Sequence, residues 1–219
     1  MEGTRIVLVR HGESLAQQNR VVGGHEGCTG LSDLGRRQVG ALRERLATTK
    51  ELAPVAALYS SVMPRARETA EILSDALGAV EITQECDFCE AHPGEIDGMG
   101  WDEVQERYPG PTDWDPHYRR VPDAETFVEM GERVARGLDA LVERHPGETV
   151  VVACHGGVIL HSMVRWLGLS SGVGRSRAWL DADNASMTEW RFGSHPWDVA
   201  TSGIQLVRFN DHAHLAAQS

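Results

Sequence analysis

The chain has 219 residues, of which 41% are hydrophobic and 24% charged, and its 21 Lys+Arg against 32 Asp+Glu give a formal charge of −11. No stretch approaches the roughly 20 apolar residues that a membrane-spanning helix needs, and the negative balance disfavours nucleic acid and anionic membranes as partners. The one apolar run near the N-terminus is short and interrupted by charge, unlike a signal peptide, so a soluble, cytoplasmic protein with a single domain over residues 1–219 is expected.

In chain order, an apolar strand at about Arg5 to Arg10 closes on Arg10-His11-Gly12-Glu13-Ser14, which brings an arginine and a histidine together to a strand's C-terminal end. Ser32 can cap a helix at about Asp33 to Thr48 that carries Val39, Leu42 and Leu46 on one face. A strand at Val55 to Ser60 follows, then a helix at about Met63 to Leu77, with Ser61 as its expected cap and Pro64 in its first turn. After a short strand at about Val80 to Thr83, residues 84–122 are irregular and rich in Pro, Gly, Asp and Trp, with one short helix at Trp101 to Tyr108. Such a stretch reads as a lid-like insertion, because long loops usually carry function. The spacing of Phe127, Met130, Val134, Leu138 and Leu141 predicts a long amphipathic helix ended by His145-Pro146-Gly147. The β-branched run Thr149 to Cys154 then delivers a second histidine, in His155-Gly156-Gly157, to a strand end, before a helix at Gly157 to Leu169. Two late strands are expected at Ala185 to Phe192 and Ile204 to Phe209, with Pro196 and Trp197 in their connection.

The alternation is βαβα, and open α/β sheets place their sites at the C-terminal edge of the strands, where both histidines fall. A neutral imidazole can attack phosphorus while a neighbouring guanidinium grips phosphoryl oxygens through its planar fork of donors. The pairing of Arg10 with His11 therefore points to phosphate chemistry. Local arginines can also hold a positive pocket inside a negative field, so a small phosphorylated substrate stays compatible with the net charge.

Of the cysteines, Cys28, Cys86, Cys89 and Cys154, only the pair in Cys86-Asp87-Phe88-Cys89 has metal-like spacing. A zinc site would need two more ligands, and His92 is the only nearby candidate, so reduced thiols and no metal are expected.

Three segments together, Arg10-His11-Gly12-Glu13-Ser14, Ser60-Ser61-Val62-Met63-Pro64-Arg65-Ala66-Arg67-Glu68-Thr69-Ala70 and His155-Gly156-Gly157, resemble the motifs of the histidine phosphatase superfamily, the phosphoglycerate-mutase-like proteins. The resemblance implies a three-layer α/β/α sandwich with a mainly parallel central sheet. It implies His11 as a nucleophile that is transiently phosphorylated, neutral at its attacking nitrogen and oriented by a bond from the other ring nitrogen to a backbone carbonyl. Arg10 and Arg65 match the family's phosphate clamp, and His155 its second pocket histidine, which steadies the transferring group. Phe88-Cys89-Glu90 corresponds to the family's Leu-x-Glu, making Glu90 the acid that protonates the departing oxygen; Asp87, Glu95 and Asp97 are the alternative carboxylates. Arg67 is expected to be solvated. No cofactor is implied.

The departures from the family's pattern bear on the substrate. Gln17 stands where family members often carry an oxygen-contacting asparagine, and with Arg10, Arg65, Gly156 and His92 it completes the expected substrate-facing set. The glycine-rich loop 23–30 is longer than usual, and either shapes the pocket mouth or is a flexible surface loop. Similar mutases follow the glutamate with arginine, histidine and tyrosine, whereas this chain has Glu90-Ala91-His92-Pro93-Gly94, few lysines and no basic insert. A metal-independent phosphomonoesterase is therefore favoured over a cofactor-dependent phosphoglycerate mutase, since a pocket open to water hydrolyses its phosphohistidine. A non-catalytic phospho-ligand binding module is disfavoured because every chemical group is present. A homodimer is an allowed assembly.

Overall fold

The computed structural model describes residues 3–169, 180–195 and 197–218; Pro196, expected between the last two strands, lies outside the described residues. The two β-branched runs form β1 (Thr4–Arg10) and β4 (Thr149–Cys154), which pair in parallel from Arg5 opposite Thr149 to Arg10 opposite Cys154. β2 (Ala57–Ser60) pairs in parallel with β4, and β3 (Ile82–Gln84) in parallel with β2. On the other side β5 (Met187–His195) runs antiparallel to β1, and β6 (Asp198–Asp211) antiparallel to β5. The sheet order is β3-β2-β4-β1-β5-β6.

Alternation along the strands builds two cores. Val7, Val9, Val151 and Ala153 pack with Val39, Leu42 and Leu46 of α2 (Asp33–Thr49) and Ala70 and Leu73 of α3 (Pro64–Ser74). Ile6, Leu8, Val150 and Val152 face Val134, Leu138 and Leu141 of α5 (Phe127–Arg144) and Val158 of α6 (Gly156–Trp166). Helices thus cover both faces of a mostly parallel sheet, the expected three layers. Among the described residues, no helix is long and apolar enough to cross a membrane.

Three local departures have physical causes. A single turn, α1 (Leu15–Gln18), forms where a loop was expected, because Ser14 and Gln17 make a reciprocal capping box. Ser61 does not cap α3: Met63 is the N-cap residue, without a side-chain bond, and the Ser61 hydroxyl instead accepts from the Met63 amide at 3.1 Å and donates to Cys89 Sγ at 3.3 Å. β5 and β6 run longer than expected, because they pair through to the hairpin end, His195 opposite Asp198, and midway along them the fully buried Glu189 of β5 is paired by Arg5 at 3.0 Å and Arg208 at 2.7 Å. Arg208 also bridges to Glu51 and Asp211, which both bind Arg45 of α2.

Residues 84–122 contain short 3-10 turns at Cys86–Phe88 and Gly94–Ile96 and the helix α4 (Trp101–Arg107). They gather a small apolar cluster of Val22, Ile96, Val104, Val121 and Ala124. The Asp97 carboxylate accepts backbone N–H bonds from Gly24 at 2.7 Å, Glu26 at 2.8 Å and Gly27 at 3.0 Å. The glycine-rich loop is therefore anchored to this segment.

Candidate active site

Because β1 and β4 are neighbours, the residues just past their C-terminal ends meet: the rings of His11 and His155 stand edge to face, 5.1 Å apart. Both are buried. His11 Nδ1 lies 2.6 Å from the Gly12 carbonyl oxygen, which places the proton on Nδ1 and leaves a lone pair on Nε2. That lone pair accepts from Arg65 Nε at 3.0 Å, while Arg65 Nη1 donates to the Gly23 carbonyl at 2.7 Å. Arg65 reaches this position from the first turn of α3, where Pro64 loses no needed donor. Burial, the Arg65 charge and the Arg10 charge hold the His11 pKa well below its ordinary 6.5, outweighing the Gly12 bond. His155 is lowered likewise by burial, Arg65 and His11. Both imidazoles are neutral at pH 7, the state that nucleophilic attack requires.

Arg10 Nη1 donates to the Ala182 carbonyl and, at 3.4 Å, to Asp181. Its Nε, and both ring nitrogens of His155, are buried without a hydrogen-bond partner among the described residues. Buried polar atoms are normally satisfied, so three orphans beside one imidazole mark a seat for a hydrogen-bonding ligand. Gly156 borders that seat: a Cβ there would lie 3.7 Å from Arg10 Nε.

Glu90 sits across the start of α6, where its Oε2 accepts from the Gly157 amide at 3.1 Å and its Oε1 from the Ala91 amide at 3.1 Å. A Cβ at Gly157 would come within 2.1 Å of Oε1 and 2.7 Å of Met130 Cε, so only glycine leaves room for this carboxylate. The other carboxylates are engaged elsewhere. Asp87 pairs with Arg136 at 3.1 Å, Glu95 accepts from the Tyr108 hydroxyl at 3.2 Å, and Asp97 holds the glycine-rich loop. Burial tends to raise the Glu125 pKa, but its hydrogen bonds with Arg133 prevail and keep it below the ordinary value.

Arg133 was not singled out from sequence, although a charge within the buried stripe of α5 was the available signal. Its guanidinium donates to the carbonyls of Cys86 at 2.9 Å, Asp87 and Cys89 at 3.1 Å and Glu90 at 3.3 Å, fixing the segment that carries Glu90. Asn184, also unforeseen, donates to the His11 carbonyl at 2.9 Å. Arg67 pairs with Glu71 on the exposed side of α3.

A cleft of ≈ 490 Å³ is lined by Arg10, His11, Arg65, Glu90, Gln17 and His92, among others. Gln17 lines it with its side-chain oxygen already accepting from the Ser14 amide at 3.0 Å. His92 turns its Nε2 toward Cys86 Sγ at 3.5 Å. A second cavity of ≈ 650 Å³ shares Glu90, Ala91, Arg120 and Glu125 with the cleft and continues toward Trp114, Tyr118 and His161. A larger one, ≈ 780 Å³, lies at the other end of the sheet around Arg5, Gly147 and Arg191 and has no histidine among the described residues that line it.

The buried neutral histidines predict acid sensitivity. His161, buried against Phe127, has its pKa lowered to about 4, first by burial and then by Arg133. In the unfolded chain it takes up a proton near its ordinary 6.5, so the unfolded state binds more protons between these values and stability falls as pH drops below 6.5. This residue alone is expected to cost about 2 kcal/mol at pH 5, lowering the thermal midpoint by at least about 4 °C relative to pH 7. Scanning calorimetry at the two pH values checks this, and an unchanged midpoint refutes it.

The family model for the histidine phosphatase superfamily, branch 1, matches residues 6–205. The metal-independent phosphoserine phosphatase of Arabidopsis thaliana is 34% identical over 165 residues, covering 72% of this chain and 66% of that protein, so the match spans slightly under two-thirds of its length. Among solved structures, YhfR of Bacillus stearothermophilus superposes with a TM-score of 0.80 at 26% identity, covering 97% of this chain and 99% of the other. A mycobacterial glucosyl-3-phosphoglycerate phosphatase solved with VO3 superposes at 0.73 and 26% identity, covering 94% and 98%.

Proposed function

Because this chain belongs to the histidine phosphatase superfamily, we propose that it is a metal-independent phosphomonoesterase that acts on a small phosphorylated metabolite through a phosphohistidine at His11. The observation that carries this reading is the neutral His11, Nε2 lone pair inward, set between two arginines and the orphaned ring of His155. The phosphatases named among its relatives support hydrolysis as the outcome.

In the first step the phosphoryl group enters between Arg10, Arg65 and His155, whose donors take up the charge that spreads over its oxygens. His11 Nε2 forms a bond to phosphorus as the ester P–O bond breaks, and Glu90 gives its proton to the departing oxygen. In the second step Glu90 takes a proton from water, the water oxygen bonds to phosphorus, the P–N bond breaks and phosphate leaves. Water reaches the phosphohistidine because the cleft continues into the neighbouring cavity, and because Ala91 and Pro93 occupy positions where mutases carry larger closing groups.

Residues 84–122 act as the lid of this cleft within one catalytic domain. Arg120, which lines both cavities, faces the part of the substrate beyond the phosphate. Four free thiols fit a cytoplasmic setting, and the charge of −11 fits a small phosphorylated partner better than nucleic acid or a membrane.

The test is phosphate release from a panel of phosphomonoesters with and without EDTA, including 3-phosphoglycerate with catalytic 2,3-bisphosphoglycerate, with organic products identified by phosphorus NMR. Free phosphate from a preferred ester in both arms is the expected result, since no metal takes part in phosphoryl transfer. Conversion to 2-phosphoglycerate with little free phosphate would make the protein a mutase, and binding without turnover would make it a phospho-ligand module.

A further inference from the structure

Beside the phosphate seat, but not part of it, four soft and borderline donors converge: Cys86 from the 3-10 turn, Cys89 that caps it, His92 three residues later, and His25 from the glycine-rich loop. One ligand atom from each lies within 4.8 Å of all the others. Cys86 Sγ is 3.5 Å from His92 Nε2, 3.9 Å from His25 Nε2 and 2.8 Å from Cys89 Sγ, and the two imidazole centroids are 5.0 Å apart. The half-site seen in the sequence lacked a fourth ligand because His25 is far away along the chain, and only folding brings it to Cys86.

We propose that Cys86, Cys89, His92 and His25 bind a structural zinc ion. Two thiolates and two imidazoles are a donor set that selects zinc in tetrahedral geometry. With Zn–S near 2.3 Å, tetrahedral ligands stand about 3.8 Å apart, so the His–Cys86 spacings already fit and the two sulfurs separate by about 1 Å through side-chain rotation. The ion displaces both thiol protons, and its two positive charges are balanced by the two thiolates, leaving the imidazoles neutral. All four positions are filled by protein atoms, so no place is left for a substrate oxygen and the ion takes no part in phosphoryl transfer.

The surroundings are built to hold these ligands. Arg133 fixes the carbonyls of Cys86 and Cys89, and the His92 backbone exchanges hydrogen bonds with Glu125, its carbonyl accepting from the Glu125 amide at 2.8 Å. Asp97 holds the amides of Gly24 and Glu26 on either side of His25. The ion would thus staple the loop whose Gly23 carbonyl holds Arg65 to the segment that carries Glu90, fixing the width of the cleft mouth.

The test is metal binding to the full chain, stripped with chelator and kept reduced. Cobalt titration should saturate at one equivalent per chain with the d–d and thiolate charge-transfer absorption of a tetrahedral two-sulfur site, and zinc should displace the cobalt and raise the thermal midpoint. His25→Ala, a change at an exposed residue that the fold tolerates, and Cys86→Ser should each weaken binding at least about tenfold. Absence of the cobalt spectrum from the folded, reduced chain would overturn the proposal, and so would unchanged affinity in His25→Ala. So would a Cys86–Cys89 disulfide, found by thiol counting, in protein purified with zinc and without reductant. None of these readouts depends on which phosphoester is hydrolysed.

Discussion

His11→Ala is expected to lower phosphomonoester turnover by at least about 10⁴-fold, the scale on which loss of a nucleophile is felt, and to abolish the acid-labile phosphoenzyme. The loss should be chemical rather than structural. His11 is a buried neutral base, so its removal takes away one of the groups that favour the unfolded chain at low pH, and Arg65 keeps its bond to the Gly23 carbonyl. Rapid quench with labelled substrate checks the prediction, with circular dichroism to confirm the fold. An acid-labile phosphoenzyme that survives in His11→Ala would move the nucleophile elsewhere, with His155 the first alternative.

Glu90→Gln should separate substrates by their leaving group. The amide keeps an acceptor for the Gly157 N–H but has no proton of suitable acidity to give, so kcat/KM for an alkyl phosphate should fall by about 10²–10⁴-fold. An activated aryl phosphate, whose phenolate departs without help, should keep most of its kcat/KM. In the proposed mechanism Glu90 also activates water, so the variant should accumulate phosphoenzyme, seen as a burst of phenol followed by slow turnover. Equal losses on both esters would remove Glu90 from the acid role. The competing carboxylates are then poor substitutes, since Asp87 is paired with Arg136 and Glu125 with Arg133.

What could be read from the sequence was whatever local pattern determines. The β-branched runs before His11 and His155 predicted two strands that end on those histidines, and the apolar stripe of α5 predicted a helix that the structure places at Phe127–Arg144. What could not be read depends on distant partners. Glu189 resembles a solvent-facing strand residue until Arg5 and Arg208 are brought to it, and the far ends of β5 and β6 form only because the two strands pair through to His195 opposite Asp198. Ser61 is a good cap by residue type, but its hydroxyl is drawn to the Met63 amide and to Cys89, 28 positions away. Asn184, Arg133 and His25 likewise gain their significance from contacts that close only in the fold. Gln17 matches a substrate-contact position by resemblance, but the same residue completes the capping-box pattern Ser14-x-x-Gln17, which engages its side-chain oxygen with the Ser14 amide.

The hydrogen bond from Arg65 to Nε2 of His11 gives the resting protein a built-in safety catch. In the proposed mechanism the Nε2 lone pair attacks phosphorus, and a guanidinium N–H covers it, so alkylating or acylating compounds that diffuse into the cleft find that nitrogen occupied. On that mechanism a phosphoryl group would uncover it, because its charged oxygens are stronger acceptors than a neutral imidazole and compete for Arg65. Selectivity for phosphate over other electrophiles would then begin before any bond is made: the key that releases the nucleophile is the same group the nucleophile attacks.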